Sequence, residues 1–319
     1  MTGGYPMAAP LAAVDGWSRE PAGERVLLTA RVRVRGDDPN LRGHFPGLAI
    51  FPGVFIIESL SQVVALALPA SPALRYIRSV RFFAPLLDGD ELTLEATATP
   101  NRDGWDVRAT GVRADGTRAA TLRAGFAAEA LAAEAPAAEV PVIASPAGAS
   151  PAGEVAGPRA HSAIRAVLPQ RYPLLLVDRV LAVDPGRSIR TIKAITGTEP
   201  CYAALAEGAA GERYAYPNSL MIESFGQSAA LLWLDGRAPA PDDDQVLMFV
   251  GARDYRFEAA AYPGDVLRHE VRLESVLADT AFATGATWAG DRRIATVATL
   301  IATRRPVRLS DHAIPQAVL

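Results

Sequence analysis

The sequence has one cysteine, Cys201, and one lysine, Lys193. A single thiol excludes an internal disulfide, and no Cys/His spacing suits a zinc site. The other cations are arginines scattered along the chain, and the net charge is -3. That pattern excludes the clustered basic face of a nucleic-acid-binding surface. No apolar run is long enough to span a membrane. Met1 to Asp15 has neither the basic start nor the apolar centre of a secretion signal. The expectation is a cytoplasmic chain with no metal, no cofactor, no nucleic-acid partner and no membrane span.

What is present is a histidine on a Pro/Gly-rich turn, Gly43-His44-Phe45-Pro46-Gly47, followed by Pro52-Gly53-Val54. An apolar, helix-length run continues to Leu68, interrupted only by Glu58, Ser59, Ser61 and Gln62. Glu58 and Gln62 are four apart and share a helix face. A helix apolar nearly all round is a buried helix. A buried, unpaired carboxylate costs several kcal/mol or keeps its proton. A glutamate in such a place, near a histidine, points to acid/base chemistry.

The stretch occurs twice. Residues 51–62 are echoed by 216–227: Pro217 matches Pro52, Glu223 matches Glu58, and Gln227 matches Gln62. The position matching His44 is Ala209. The helix and its carboxylate are doubled; the histidine is not.

The length suggests two domains. Residues 1–22 are Gly/Pro/Ala-rich and read as a flexible N-terminus. Residues 23–128 form a first unit: a strand from Val26 to Val34, a loop at 37–40, the His44 turn, the helix, then four strands between Arg75 and Ala127. Residues 129–158 are Ala/Pro-rich and read as a linker. Residues 159–308 form a second unit with a helix from about Ser219 to Leu234 and strands on both sides. Residues 309–319 read as a tail. One helix against a run of antiparallel strands is an α+β pattern. Val80-Arg81-Phe82 before Gly89-Asp90, and Tyr255-Arg256-Phe257 before Gly264-Asp265, extend the repeat into the strands.

Gly43 to Gly47, Pro52-Gly53-Val54 and the Glu58/Gln62 helix resemble the core motif of the FabA/FabZ-type 3-hydroxyacyl-acyl-carrier-protein dehydratases. The segment from Leu168 to Val180 resembles that family's entry segment, with Gln170 where the family commonly has histidine. Glu199-Pro200 also matches, whereas Ala209 and Asn218 depart from the pattern. The resemblance implies a double hot-dog fold, in which each long helix is wrapped by a curved antiparallel sheet and two units pair. It also implies sites at the interface, with the histidine from one unit and the acid from the other. One site is then His44 with Glu223, and the other is a vestigial pair, Ala209 with Glu58.

The resemblance implies removal of water from a 3-hydroxyacyl chain linked through phosphopantetheine to an acyl carrier protein, in a fatty acid or polyketide/polyene pathway. A histidine titrating near neutrality suits the base that takes the C2 proton. A glutamate in an apolar wall suits the acid that protonates the leaving hydroxyl. Backbone N–H groups at a helix start, at Gly53 or Asn218, suit the thioester oxygen. Gln62 and Gln227 are expected to orient the carboxyl groups, and Tyr172 to line or gate an acyl tunnel. His161, His269 and His312 have no motif context. Other readings stay open: a hot-dog acyl thioesterase, a non-catalytic acyl-binding or stabilising partner, and added 2-trans to 3-cis isomerisation. Further oligomerisation, or association with other synthase components, also stays open.

Overall fold

Two long helices with almost no polar face make the centre of the molecule. The computed structural model describes residues 5–127, 157–235 and 245–306. Among them α1 spans Pro39–His44, α2 Gly53–Ala67, α3 His161–Val167 and α4 Asn218–Trp233. Helices α2 and α4 each start directly after a proline, Pro52 and Pro217. Proline suits this place because the first helical turn leaves its N–H groups without partners anyway. Helix α2 stops at Leu68, before Pro69, which cannot continue it. Both helices are buried along nearly their whole length, Glu58 and Glu223 included.

Around the helices runs one antiparallel sheet of twelve strands. The first unit supplies β1 Gly16–Ala22, β2 Arg25–Arg33, β3 Ala73–Phe82, β4 Glu91–Asn101, β5 Gly104–Arg113 and β6 Arg118–Ala127. The second supplies β7 Arg179–Asp184, β8 Ser188–Ala194, β9 Gln245–Phe257, β10 Val266–Leu277, β11 Thr280–Ala289 and β12 Arg292–Pro306. The order is β1-β2-β4-β5-β6-β3-β9-β12-β11-β10-β8-β7, so the second half mirrors the first. Strands alternate as a half-buried sheet should: in β4, Leu92, Leu94, Ala96 and Ala98 point to the core. This is the double hot-dog architecture. The lone lysine lies within it as a buried ion pair, Lys193 to Glu199 at 2.6 Å.

The seam is the β3–β9 pair, with Val80 opposite Ala252 and Arg81 opposite Gly251. A Cβ at Gly251 would lie 2.6 Å from the Val80 carbonyl oxygen, so the close approach needs a bare glycine.

Residues 5–22 correct the expectation of a flexible N-terminus. Strand β1 pairs with β2 along its whole length. Residues 5–15 pack against the second unit, with Ala8 and Ala13 buried: Ala8 N–H donates to the Arg213 carbonyl and Ala9 N–H to the Cys201 carbonyl, both at 2.9 Å. Here the repeat extends further than expected. Pro10-Leu11-Ala12-Ala13-Val14-Asp15 matches Pro173-Leu174-Leu175-Leu176-Val177-Asp178. The first unit therefore begins well before residue 23. The linker expected at 129–158, apart from Gly157 and Pro158, and the tail at 309–319 lie outside the described residues, as does His312.

Candidate active site

Of residues 37–40, expected as a loop, Asp37 and Asp38 lie in a turn, whereas Pro39 and Asn40 open helix α1, which His44 closes. Asp38 caps that helix by accepting the Asn40 N–H at 2.7 Å, and Pro39 opens it. The backbone then turns through Gly47, which holds φ +86°. This turn brings the Ile50 carbonyl to 3.1 Å from His44 Nδ1. A carbonyl can only accept, so Nδ1 carries the proton and Nε2 keeps its lone pair. Phe45 lies against the ring at a centroid distance of 4.3 Å. Burial lowers the pKa of His44 below the usual histidine range; the Glu223 carboxylate and the Ile50 carbonyl partly oppose this. His44 is therefore a neutral imidazole with a free acceptor nitrogen, which is the form a base requires.

Glu223 stands in the second turn of α4. Its Oε1 accepts from Gln227 Nε2 at 2.9 Å. Gln227 also donates to the Leu174 carbonyl at 2.7 Å and accepts the Leu176 N–H at 2.8 Å. Every polar atom of that amide is thus committed to holding the carboxyl group and the entry segment together. His44 and Glu223 line one cavity of about 60 Å³, with Leu168, Pro169, Gln170 and Phe249 among its other walls. The fold thus brings together two groups far apart in sequence, one from each unit.

The entry segment forms part of this site. Arg171 N–H donates to the Gly43 carbonyl at 2.7 Å. A Cβ on Gly43 would lie 2.8 Å from the carbonyl oxygens of both Arg171 and Tyr172. Glycine at 43 lets the His44 turn and the second unit meet. Tyr172 is 81% exposed and is not among the residues that line the cavity, which corrects the expectation that it lines an acyl tunnel. In the sequence Gln170 stands out only as a departure from the family pattern. It is buried in the cavity wall, and its side-chain oxygen has no partner among the described residues.

Glu58 has a different setting. Its Oε1 accepts from Gln62 at 2.9 Å and its Oε2 from Ser219 Oγ at 2.6 Å. Gln62 in turn holds the Leu11 carbonyl (2.9 Å) and the Ala13 N–H (3.0 Å), as Gln227 holds Leu174 and Leu176. Burial raises the pKa of Glu58 despite the Ser219 and Gln62 hydrogen bonds. The cavity beside it is larger, about 360 Å³, and is lined by Tyr5, Pro6, Met7 and Asn218 among others. Chemistry separates the two cavities, because the larger one has no histidine in its walls. Ala209 does not reach it; the chain there runs through a loop into a 3-10 turn at Gly211–Tyr214.

The two helix starts separate in the same way. Asn218 lies at the Glu58 cavity and donates to the Leu74 carbonyl at 3.2 Å, so it does not serve the His44 site. Gly53 faces the Phe82 ring, which meets Phe249 edge-on at 5.3 Å in the wall of the His44 cavity. Cys201 is buried and its thiol is pushed up to about 12, chiefly by burial, so it is a packing residue. His161 is exposed.

A double hot dog that brings a histidine from one unit and a glutamate from the other into one cavity holds the groups that acid/base chemistry needs. Comparisons with known proteins fit that arrangement. A family model described as ApeI dehydratase matches residues 20–119, and one described as a FabA-like domain matches residues 168–298. The 3-hydroxyacyl-acyl-carrier-protein dehydratase FabZ of Albidiferax ferrireducens is 46% identical over 106 residues, 33% of this chain and 68% of that protein. The protein of the same name from a Polaromonas species is 38% identical over 140 residues, 44% of this chain and 93% of that protein. Among solved structures, the dehydratase domain from the CurJ module of curacin polyketide synthase superposes with a TM-score of 0.62 at 12% identity. That match covers 95% of this chain and 99% of the other. The bifunctional dehydratase-cyclase domain in ambruticin biosynthesis gives 0.55 at 22% identity, over 92% and 96%. These two likenesses show the fold. The chain belongs to the FabZ-type 3-hydroxyacyl-acyl-carrier-protein dehydratase family.

Proposed function

We propose that this protein removes water from a 3-hydroxyacyl thioester on an acyl carrier protein, giving the trans-2-enoyl thioester, at a single site. His44 Nε2 takes the C2 proton. Glu223 gives a proton to the C3 hydroxyl, which leaves as water as the C2–C3 double bond forms. A proton passing from His44 back to Glu223 resets the pair. The first N–H groups of α2, at Gly53, are the donors assigned to the thioester oxygen. Glu58, tied on both oxygens and without a base, has no part in turnover. The carrier belongs to a fatty acid or polyketide/polyene pathway; the fused, half-degenerate organisation favours the latter.

One observation carries this reading: a neutral histidine with a free nitrogen shares a cavity with a buried glutamate from the other unit. The test is incubation with a 3-hydroxyacyl carrier substrate, followed by mass. Loss of one water is expected. Release of a free carrier thiol without water loss identifies a thioesterase and overturns the reading.

A further inference from the structure

Behind Glu223 runs a buried line of polar groups that the acid/base pair does not use. His269, on β10, is fully buried between α4 and β11. Its Nδ1 lies 2.9 Å from Thr287 Oγ1 and its Nε2 2.8 Å from Ser224 Oγ. Ser224 Oγ lies 2.6 Å from the Leu176 carbonyl oxygen. The carbonyl accepts, so the serine proton is committed there. Ser224 must then accept from His269 Nε2–H, and Nδ1 must accept from the Thr287 hydroxyl. Burial lowers the His269 pKa to about 3, in keeping with a ring that carries one proton.

The donors therefore run one way, from Thr287 to His269 to Ser224 to the Leu176 carbonyl. The N–H of the same residue, Leu176, donates to Gln227, and Gln227 donates to Glu223 Oε1. Hydrogen bonds in such a chain polarise one another.

The first unit lacks this device. Leu94 and His269 hold matching places, four residues after Asp90 and Asp265. Leu94 stands opposite Gly111, where His269 stands opposite Thr287. Ser59, the match of Ser224, donates to the carbonyls of Ala13 and Phe55, with an apolar pair behind it. The relay backs Glu223 and is missing behind Glu58.

We propose that His269, with Thr287 and Ser224, is a positioning residue for Glu223: it fixes the Leu174–Leu176 segment that aims the carboxyl group through Gln227. The inference rests on reading Glu223 as the acid. His269→Leu installs the residue found in the first unit. It is expected to lower kcat by about ten- to a hundredfold while KM stays within about twofold, as a misplaced catalytic group does. His269→Gln, which keeps a donor for Ser224 and an acceptor for Thr287, is expected to recover most of the rate. On a Glu223→Gln background, His269→Leu should cost nothing further. An unchanged kcat in His269→Leu, failure of the glutamine variant to rescue, or a further loss on the Glu223→Gln background each overturns the proposal. Full turnover in Glu223→Gln alone sinks the acid assignment instead. The relay is then judged by hydrogen exchange at the Leu176 amide, expected to quicken about tenfold in His269→Leu relative to its neighbours; unchanged exchange refutes it. Should His269→Leu fail to fold, Ser224→Ala and Thr287→Val carry the same expectations.

Discussion

Ser219 Oγ donates to Glu58 Oε2 at 2.6 Å, from the first turn of one central helix to the carboxyl group of the other. The matching position in the first helix is Val54, which has no proton to donate. The two carboxyl groups, alike in sequence, therefore differ in what is left free. Gln62 and Ser219 hold both oxygens of Glu58, whereas Gln227 holds Oε1 of Glu223. Removing the hydroxyl with Ser219→Ala should cost stability by about 1–3 kcal/mol, since a buried acceptor loses its donor. Turnover should hold. Chemical denaturation and a rate assay on the same sample check both.

The two glutamines give a matched pair. Gln62→Leu and Gln227→Leu each strand a carbonyl, a buried N–H and a carboxyl oxygen. Each should lower stability by about 1–3 kcal/mol. Turnover should fall by about ten- to a hundredfold in Gln227→Leu and stay near the parent in Gln62→Leu. Equal rate losses would contradict a one-site enzyme.

Gly43→Ala forces a methyl group to 2.8 Å from two carbonyl oxygens. Neither oxygen belongs to a flexible side chain, so the backbone must move. The His44 turn and the entry segment should separate, lowering both melting temperature and kcat. Thermal melts with steady-state kinetics check this; a variant as active as the parent would mean that the contact positions nothing.

Two buried histidines set a pH dependence. Burial lowers His44, and His269 is held at about 3 against an ordinary 6.5. Between those limits the unfolded chain binds a proton that the folded His269 refuses. Stability should therefore fall as pH drops below about 6.5, with His269 contributing up to about 1.4 kcal/mol per unit until pH nears 3. His269→Leu should flatten that slope. For the same reason the acid limb of kcat/KM should lie below 6.5, because free His44 stays neutral there.

Much of the architecture was legible because burial writes period and punctuation into the chain. Helices α2 and α4 and the strands from β3 to β6 stand within a few residues of where apolar runs, prolines and Asp-Gly pairs place them. Strand β1 was not legible: it is an edge strand whose residues are half-buried or exposed, so it has no alternation to read. The match of residues 10–15 to 173–178 was in the sequence, but Ala12 and Ala13 stand where the second copy has leucines, and small residues carry a weak apolar signal. The histidine turn and the doubled Glu/Gln spacing marked the site residues. Which helix start faces which carboxyl group was not legible, because it depends on how the two units pair. Nor was the His269 relay, whose members come from β10, β11 and α4 with no fixed spacing among them.

The most direct measurement compares turnover of a 3-hydroxyacyl carrier substrate by His44→Ala, Glu223→Gln and Glu58→Gln, scored by loss of water. Losses of about a hundredfold to ten-thousandfold are expected for the first two, the usual worth of a general base or acid. Near-parental rates are expected for Glu58→Gln. A loss at Glu58 as large as that at Glu223 would contradict a one-site enzyme.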